Sequence, residues 1–227
     1  MNNGHVIAAL DDGEAPFSFA DFRARAARRL SLDLPAGALD VASPPASGDH
    51  SLDTLPADPL LSASARPAAV LVPVVAHDEE ATILLTRRAD ALREHSGQIA
   101  LPGGKIDAGD ASPMVAALRE AEEEIGLSRR HVEPIGYLDP YLTGTGFRVF
   151  PVIAVVRPPF ELTLNRNEVD EAFEVPLGFL MRASNHQRHQ REWCGRVRQY
   201  YAMPYQERNI WGATAGILRN LYERLYS

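Results

Sequence analysis

Two apolar runs dominate the middle of the chain. Ala68–Ala76 (AAVLVPVVA) and Ala81–Arg88 (ATILLTRR) flank the polar quartet His77-Asp78-Glu79-Glu80. Runs rich in Val, Ile and Leu with little polar alternation predict strands buried on both faces, and the quartet predicts a hairpin turn between them. Pro134–Pro140 and Phe147–Val156 predict a second strand pair, and the TGTGF segment between them predicts a glycine loop at a cleft rim. Elsewhere the period changes to that of a helix. Met114, Ala117, Leu118, Ala121 and Ile125 fall on one stripe at about 100° per residue. Pro113 suits the first helical position, Asp110 or Ser112 the N-cap, and Gly126 the end. Further helices are predicted over Val175–Arg182 and over Asn209–Tyr226, where Ile210, Ala213, Ile217, Leu218, Leu221 and Leu225 share one face. Near the start, Ser18–Leu32 reads as an amphipathic helix with Phe19, Phe22, Ala26 and Leu30 on one side and arginines around the rest.

Between Pro35 and Pro67 the chain is rich in Pro, Ala, Ser and Asp and lacks periodicity. The expected organisation is therefore a helical extension over residues 1–34, a Pro/Ala-rich linker over 35–67 that wraps the body in extended form, and one α/β domain over 68–227. No internal repeat interrupts it. A basic amphipathic helix can lie on a membrane. The one at Ser18–Leu32 is short and its apolar side modest, so docking on its own domain or on a dimer partner is expected instead.

Composition removes several function classes. The chain has 227 residues, 45% of them hydrophobic, enough for a core. Its formal net charge of −7 argues against a general nucleic-acid binder, which carries a basic surface. It is compatible with a phosphorylated small substrate, because a metal and local arginines reverse the sign inside a cleft. The single cysteine, Cys194, permits no intrachain disulfide and is expected to be a bystander in a reducing cytoplasm. The opening MNNGHVIAALDDGEAPF lacks the basic and apolar regions of a secretory signal, and no apolar run approaches a membrane span.

The candidate chemistry lies in Leu101–Leu127, LPGGKIDAGDASPMVAALREAEEEIGL. Glu120, Glu123 and Glu124 share one helix face at i, i+3 and i+4, whereas Glu122 points elsewhere, toward solvent. Three like charges on a turn repel one another, and hard cations such as Mg²⁺ or Mn²⁺ relieve this through oxygen ligands suited to phosphate chemistry. An isolated acidic run is more often a solvated face, here with Arg119 as its partner. The glycines upstream shift the balance. Gly103 and Gly104 let the backbone turn tightly and approach a ligand, and a backbone carbonyl there can complete a metal shell. Lys105 is placed to meet a phosphate oxygen, or is simply exposed.

These residues resemble the Nudix box, G-x5-E-x7-R-E-U-x-E-E-x-G-U with U apolar. Gly104 opens it, and Arg119 to Leu127 match its second half, with Ala121 as U. The first half departs: Asp110 replaces the usual Glu, and one extra residue separates it from Arg119. That spacing resembles the branch of the family that hydrolyses coenzyme A. The departure leaves the metal-binding half intact and touches only the loop's role in bracing the helix. A second motif, LLTRRADALREHSGQIALPGG over residues 84–104, resembles the segment preceding the box in that branch. Leu84, Leu85, Thr86, Arg88, Arg93, Gly97, Pro102, Gly103 and Gly104 match, and Leu101 stands for the usual Phe. LDPYLTGTGFRVFPVIA and RQYYAMPYQERNIWGATAGILRNLYERL are also similar to bacterial members, so the likeness runs from about Arg66 to the C-terminus.

The resemblance implies an α/β/α sandwich with a mixed sheet, and a metal-dependent hydrolase that cleaves the pyrophosphate of coenzyme A or its acyl derivatives into 3′,5′-ADP and 4′-phosphopantetheine. Glu120, Glu123 and Glu124, with the Gly104 carbonyl, would hold Mg²⁺ or Mn²⁺, and Arg119 would orient the acids. The general base would be Glu123 on the helix, or Glu168 or Glu171 from the NRNEVDEAF loop. Arg87, Arg88 and Arg93 are candidates for the substrate phosphates, Lys105 likewise, and Phe147 for stacking on adenine or for the core. His95 and Gln98 are better explained by structural hydrogen bonds. Two alternatives stay open: another Nudix substrate such as ADP-ribose, NADH or a nucleoside triphosphate, and a Nudix-fold sensor that binds a nucleotide without hydrolysing it. A homodimer is plausible by family habit.

Overall fold

The computed structural model describes residues 17–52, 59–92, 95–193 and 196–227. Arg93 and Cys194 lie outside the described residues. The first helix, α1, is Phe19–Arg29. The Pro/Ala-rich segment then contributes a short strand β1 (Ser47–Gly48), a 3₁₀ turn (Asp49–Leu52) and a helix α2 (Pro59–Ala63). The body follows as β2 (Arg66–Val75), β3 (Thr82–Arg88), β4 (Ile99–Ala100), β5 (Gly103–Lys105), α3 (Pro113–Ile125), β6 (Val132–Tyr137), β7 (Tyr141–Leu142) and β8 (Phe147–Val156). Next come β9 (Val169–Pro176), α4 (Leu177–Leu180), β10 (Gln187–Trp193), β11 (Arg196–Tyr205), β12 (Arg208–Trp211) and α5 (Ala213–Leu225).

β2 is the axis of a mixed sheet. It runs parallel to β8 over its full length, from Arg66 opposite Phe147 to Val75 opposite Val156. β8 in turn pairs antiparallel with β6 and with β7. On the other side, the expected β2–β3 hairpin exists only at its base, where Val74 and Val75 face Ile83 and Thr82. The two strands then part, and β5 takes the vacated edge of β2, placing Lys105, Gly104 and Gly103 opposite Ala68, Ala69 and Val70. β3 pairs instead with β9 along its length and with β4 at Thr86 and Arg87. This divergence is what carries the glycine pair beneath α3.

Side chains alternate across the central strands, so both sheet faces need cover. Ala69, Leu71 and Val75 of β2, with Phe150, Val152, Ala154 and Val156 of β8, pack under Ala116, Ala117, Ala121 and Ile125 of α3. On the opposite face, Val72, Val74, Ile83, Leu85, Ile153 and Val155 pack with Phe22 of α1 and with Ile217, Leu218, Leu221 and Leu225 of α5. The result is a helix–sheet–helix sandwich, and double-sided burial explains why the strands read as continuous apolar runs. Each fully buried Val, Leu or Ile contributes roughly 1.5–3 kcal/mol. Helix α1 docks on its own chain: Arg25 and Arg29 donate to the carbonyls of Leu225 and Arg224, both at 3.2 Å, capping the negative end of α5.

The segment before β2 is clasped by one buried guanidinium. Arg148, 3% exposed, donates to the carbonyls of Ala38 (3.1 Å) and Ser43 (2.9 Å) and to Ser62 Oγ (2.9 Å).

Three further expectations change. The Glu171 region is strand rather than loop, because β9 spans Val169–Pro176 against β3. The helix expected over Val175–Arg182 shrinks to Leu177–Leu180: Val175 is a buried strand residue opposite Ile83. The C-terminal helix starts at Ala213 instead of Asn209. Arg208–Trp211 forms β12, and Gly212, at φ 63°, breaks the chain between strand and helix. Ile210 is buried either way, so the apolar pattern did not separate the two readings. β10, β11 and β12 make a separate antiparallel sheet.

Candidate active site

Helix α3 is built as its sequence dictates. Ser112 Oγ accepts the Val115 N–H at 3.3 Å, Pro113 opens the helix, and Gly126 closes it in the left-handed region, at φ 68°. The buried stripe is wider than the apolar pattern: Ala116 and Glu124 are buried, while Met114 and Leu118 pack at the rim. Glu122 points outward and pairs with Arg129 at 3.1 Å.

Arg119 is the hub of the acidic face. Its guanidinium meets Asp110 through two bonds (Nε–Oδ1 3.1 Å, Nη2–Oδ2 2.9 Å) and also donates to the Lys105 carbonyl at 3.1 Å. Nη1 reaches Glu120 Oε1 at 3.0 Å and Glu123 Oε2 at 2.9 Å. A planar fork with this many partners fixes the β5–α3 loop to the helix. The bond from Arg119 holds the Asp110 carboxyl below its ordinary range, and the bond to Asp110 raises the affinity of Arg119 for its proton. Of the two N-cap candidates, Ser112 caps the helix and Asp110 is bonded to Arg119 instead. The place of Asp110 in the motif, where Glu is usual, was the signal for this role.

Glu124 and Glu120 lie deeper. Glu124 is 4% exposed and accepts the Gly103 N–H at 3.1 Å; burial pushes its carboxyl up to about 7. Burial also raises Glu120. The Glu120 carboxyl sits where a side chain on Gly104 would be, since a Cβ there would lie 2.6 Å from Glu120 Cδ. Glu168, from the turn before β9, is near enough for its negative charge to push up both Glu120 and Glu124. Glu123 is drawn outward to Arg119 with 56% of its side chain exposed.

Alternation along β3 separates the arginines. Leu84 faces α3 and Ile83 and Leu85 face α5, so Arg88 falls on the α3 side, where its charge acts on Glu124. Its buried Nε has no hydrogen-bond partner among the described residues. Arg87 falls on the other side and is held by Asp90 at 2.8 Å and Asp170 at 2.9 Å. Glu171 stands opposite Arg87 in the ladder and is ion-paired with Arg208. Lys105 is exposed. Phe147, half-buried, has the Arg66 guanidinium 4.1 Å from its ring centre. His95 Nδ1 and Gln98 Oε1 bond to each other at 3.0 Å. The structure thus brings Glu120, Glu124, Glu168, Arg88 and the glycine pair together and places Arg87, Glu171 and Phe147 elsewhere.

Among the described residues, no three His, Cys, Asp or Glu side chains converge as a finished metal cage. The donor set nonetheless fits a hard divalent cation. Glu124 is a buried carboxylate that accepts a backbone N–H, from Gly103, and Glu120 and Glu168 add negative charge beside it. Such a group is costly as an anion without a cation nearby.

Comparison with known proteins bears on the family to which this chain belongs. The family model described as the NUDIX domain matches residues 65–194, more than half of the chain. A protein of Cronobacter sakazakii described as "Uncharacterized Nudix hydrolase NudL" is 42% identical, with 70% of this chain and 83% of that protein covered. Its namesake in Yersinia enterocolitica is 40% identical over 72% of this chain and 84% of its own length. Among solved structures, the Nudix hydrolase RenU from M. smegmatis is 28% identical and covers 50% of this chain and 71% of its own, with a TM-score of 0.43. From the domain match and the two NudL relatives, the chain belongs to the Nudix hydrolase family.

Proposed function

We propose that this Nudix hydrolase cleaves the pyrophosphate of coenzyme A or an acyl derivative, with a divalent metal, giving 3′,5′-ADP and 4′-phosphopantetheine. The observation that carries the reaction type is the buried Glu124 carboxyl, beside Glu120 and Glu168, with the Arg88 guanidinium alongside. Glu120 and Glu124, with Glu123 and the Gly104 carbonyl, would hold Mg²⁺ or Mn²⁺. When bound, the ion neutralises phosphate oxygens and lowers the pKa of a coordinated water. Arg88 binds a phosphate oxygen through the donors that the protein leaves unused. Arg119 touches no substrate: it holds Asp110, Glu120 and Glu123 in place, so that most of the catalytic work is positioning. Glu168 takes the proton of the attacking water. Glu171 is less suited, being on the other face of the sheet and neutralised by Arg208.

The substrate assignment is supported by the LLTRRADALREHSGQIALPGG segment, which supplies both Arg88 and the glycine pair. Purified protein incubated with Mn²⁺ and an equimolar mixture of coenzyme A, ADP-ribose and NADH tests it by mass identification of products. Release of 3′,5′-ADP well ahead of AMP is expected. AMP as the main product would move the assignment to another dinucleotide, and no product from any of the three would remove it.

A further inference from the structure

The short segment between β8 and β9 is tied to the end of α3. The Thr163 N–H donates to the Ile125 carbonyl at 2.9 Å, and the Asn165 N–H to the Glu124 carbonyl at 2.9 Å, so the last carbonyls of α3 are satisfied by this segment. The Asn165 carbonyl accepts from the amides of Glu168 and Val169, both at 2.9 Å. Its side chain is engaged at both ends: Oδ1 accepts the Asn167 N–H at 3.2 Å, and Nδ2 donates to Glu168 Oε1 at 3.0 Å. The Glu168 carbonyl is in turn held by the Ala89 N–H at 2.8 Å, at the end of β3.

Resting on the assignment of Glu168 above, we infer that Asn165 is a positioning residue: it ties the Glu168 carboxylate to the helix that carries Glu120 and Glu124. The physical reason is reach. A glutamate on a turn has three freely rotating bonds, and a carboxylate surrounded by like charges swings away from them unless something holds it. The Asn165 amide supplies that hold. It belongs to a residue whose own backbone is bonded to the Glu124 carbonyl, so a displacement of α3 carries Glu168 with it. Asn suits this place because one side chain provides both an acceptor for the turn and a donor for the carboxylate. Asp would keep the acceptor, lose the donor and place a like charge against Glu168.

The test is a double-mutant cycle with E168Q, N165D and the pair, supported by N165S, which removes the donor without adding charge. Turnover of coenzyme A with Mn²⁺, Mn²⁺ affinity of the substrate-free protein and melting temperature are all measured. N165D and N165S are expected to lower kcat by about tenfold to a hundredfold, the range for residues that orient a functional group, with KM and Mn²⁺ affinity nearly unchanged. N165D/E168Q is expected to be no slower than E168Q alone. Effects that multiply in the double variant, or wild-type kcat in both N165D and N165S, would overturn the inference. A lowered melting temperature with unchanged kcat would assign Asn165 to the fold alone. Wild-type kcat in E168Q would instead defeat the Glu168 assignment, and with it this role for Asn165.

Discussion

Glu124→Gln is expected to lose turnover and gain stability at once. In protein stripped of divalent ions, the Glu124 carboxyl holds its proton up to about 7, against 4.5 for a free glutamate, because burial penalises the anion. A pKa raised by folding favours the folded state below the free value, and that advantage is lost as pH rises through the folded value. Wild-type protein in EDTA should therefore lose stability between about pH 4.5 and pH 7, by up to about 3 kcal/mol from this group. Gln keeps an acceptor for the Gly103 N–H without the charge. E124Q should melt above wild type at pH 8 in EDTA and at the same temperature at pH 4. Its kcat should fall by about 10²–10³, the size expected when one group of a charge-stabilising site is removed. Calorimetry across pH, with and without metal, checks both halves. A variant less stable than wild type at pH 8 would show that Glu124 is a structural anion with a cation of its own.

The glycine pair gives the second large effect, and the two positions should fail differently. A Cβ on Gly103 would lie 2.4 Å from the Ala69 carbonyl and 2.6 Å from Val70 Cα, at φ 155°, so the strand itself must move. G103A should cost more than about 3 kcal/mol, or yield no folded protein. On Gly104 the clash is with the end of a flexible side chain, the Glu120 carboxyl. G104A should therefore fold, with a loss below about 1 kcal/mol, yet turn over about a hundredfold more slowly, the effect expected for displacing a catalytic group by an ångström. Denaturant melts and kcat on both variants separate the two. Full activity in G104A would detach Glu120 from the site.

Much of this was legible in the sequence because burial and period speak directly. β2, β3 and β8 announced themselves by runs that are apolar on both faces, and α3 by its stripe, proline start and glycine end. The parallel pairing of β2 with β8 was not legible, since it depends on the divergence of β2 and β3, which no local pattern encodes. Nor was the β10–β11–β12 sheet: β10 reads QRHQREW, an edge strand whose pairing comes from its neighbour rather than from apolar alternation. The candidate glutamates and glycines could be picked out by spacing, and the resemblance to the Nudix box gave them their proposed role. The division of labour between Arg87 and Arg88 needed the face of β3 that each occupies, and Glu171 needed the strand that turned it away from α3. The role of Asp110 was half visible, as a residue in the right motif position with the wrong length of side chain; its bonds to Arg119 show how the shorter acid still braces the loop.

The proposed chemistry requires α3 to offer its inner carboxylates to a divalent cation. Titrating Mn²⁺ into EDTA-stripped protein at pH 7.5, followed by loss of the free-ion electron paramagnetic resonance signal, measures that property without substrate or turnover. Saturable binding is expected in wild type and in E122Q, whose side chain points to solvent, and weakening by at least about tenfold in E120Q and E124Q. Equal affinity in all four proteins would place the ion, and the chemistry, somewhere other than this helix.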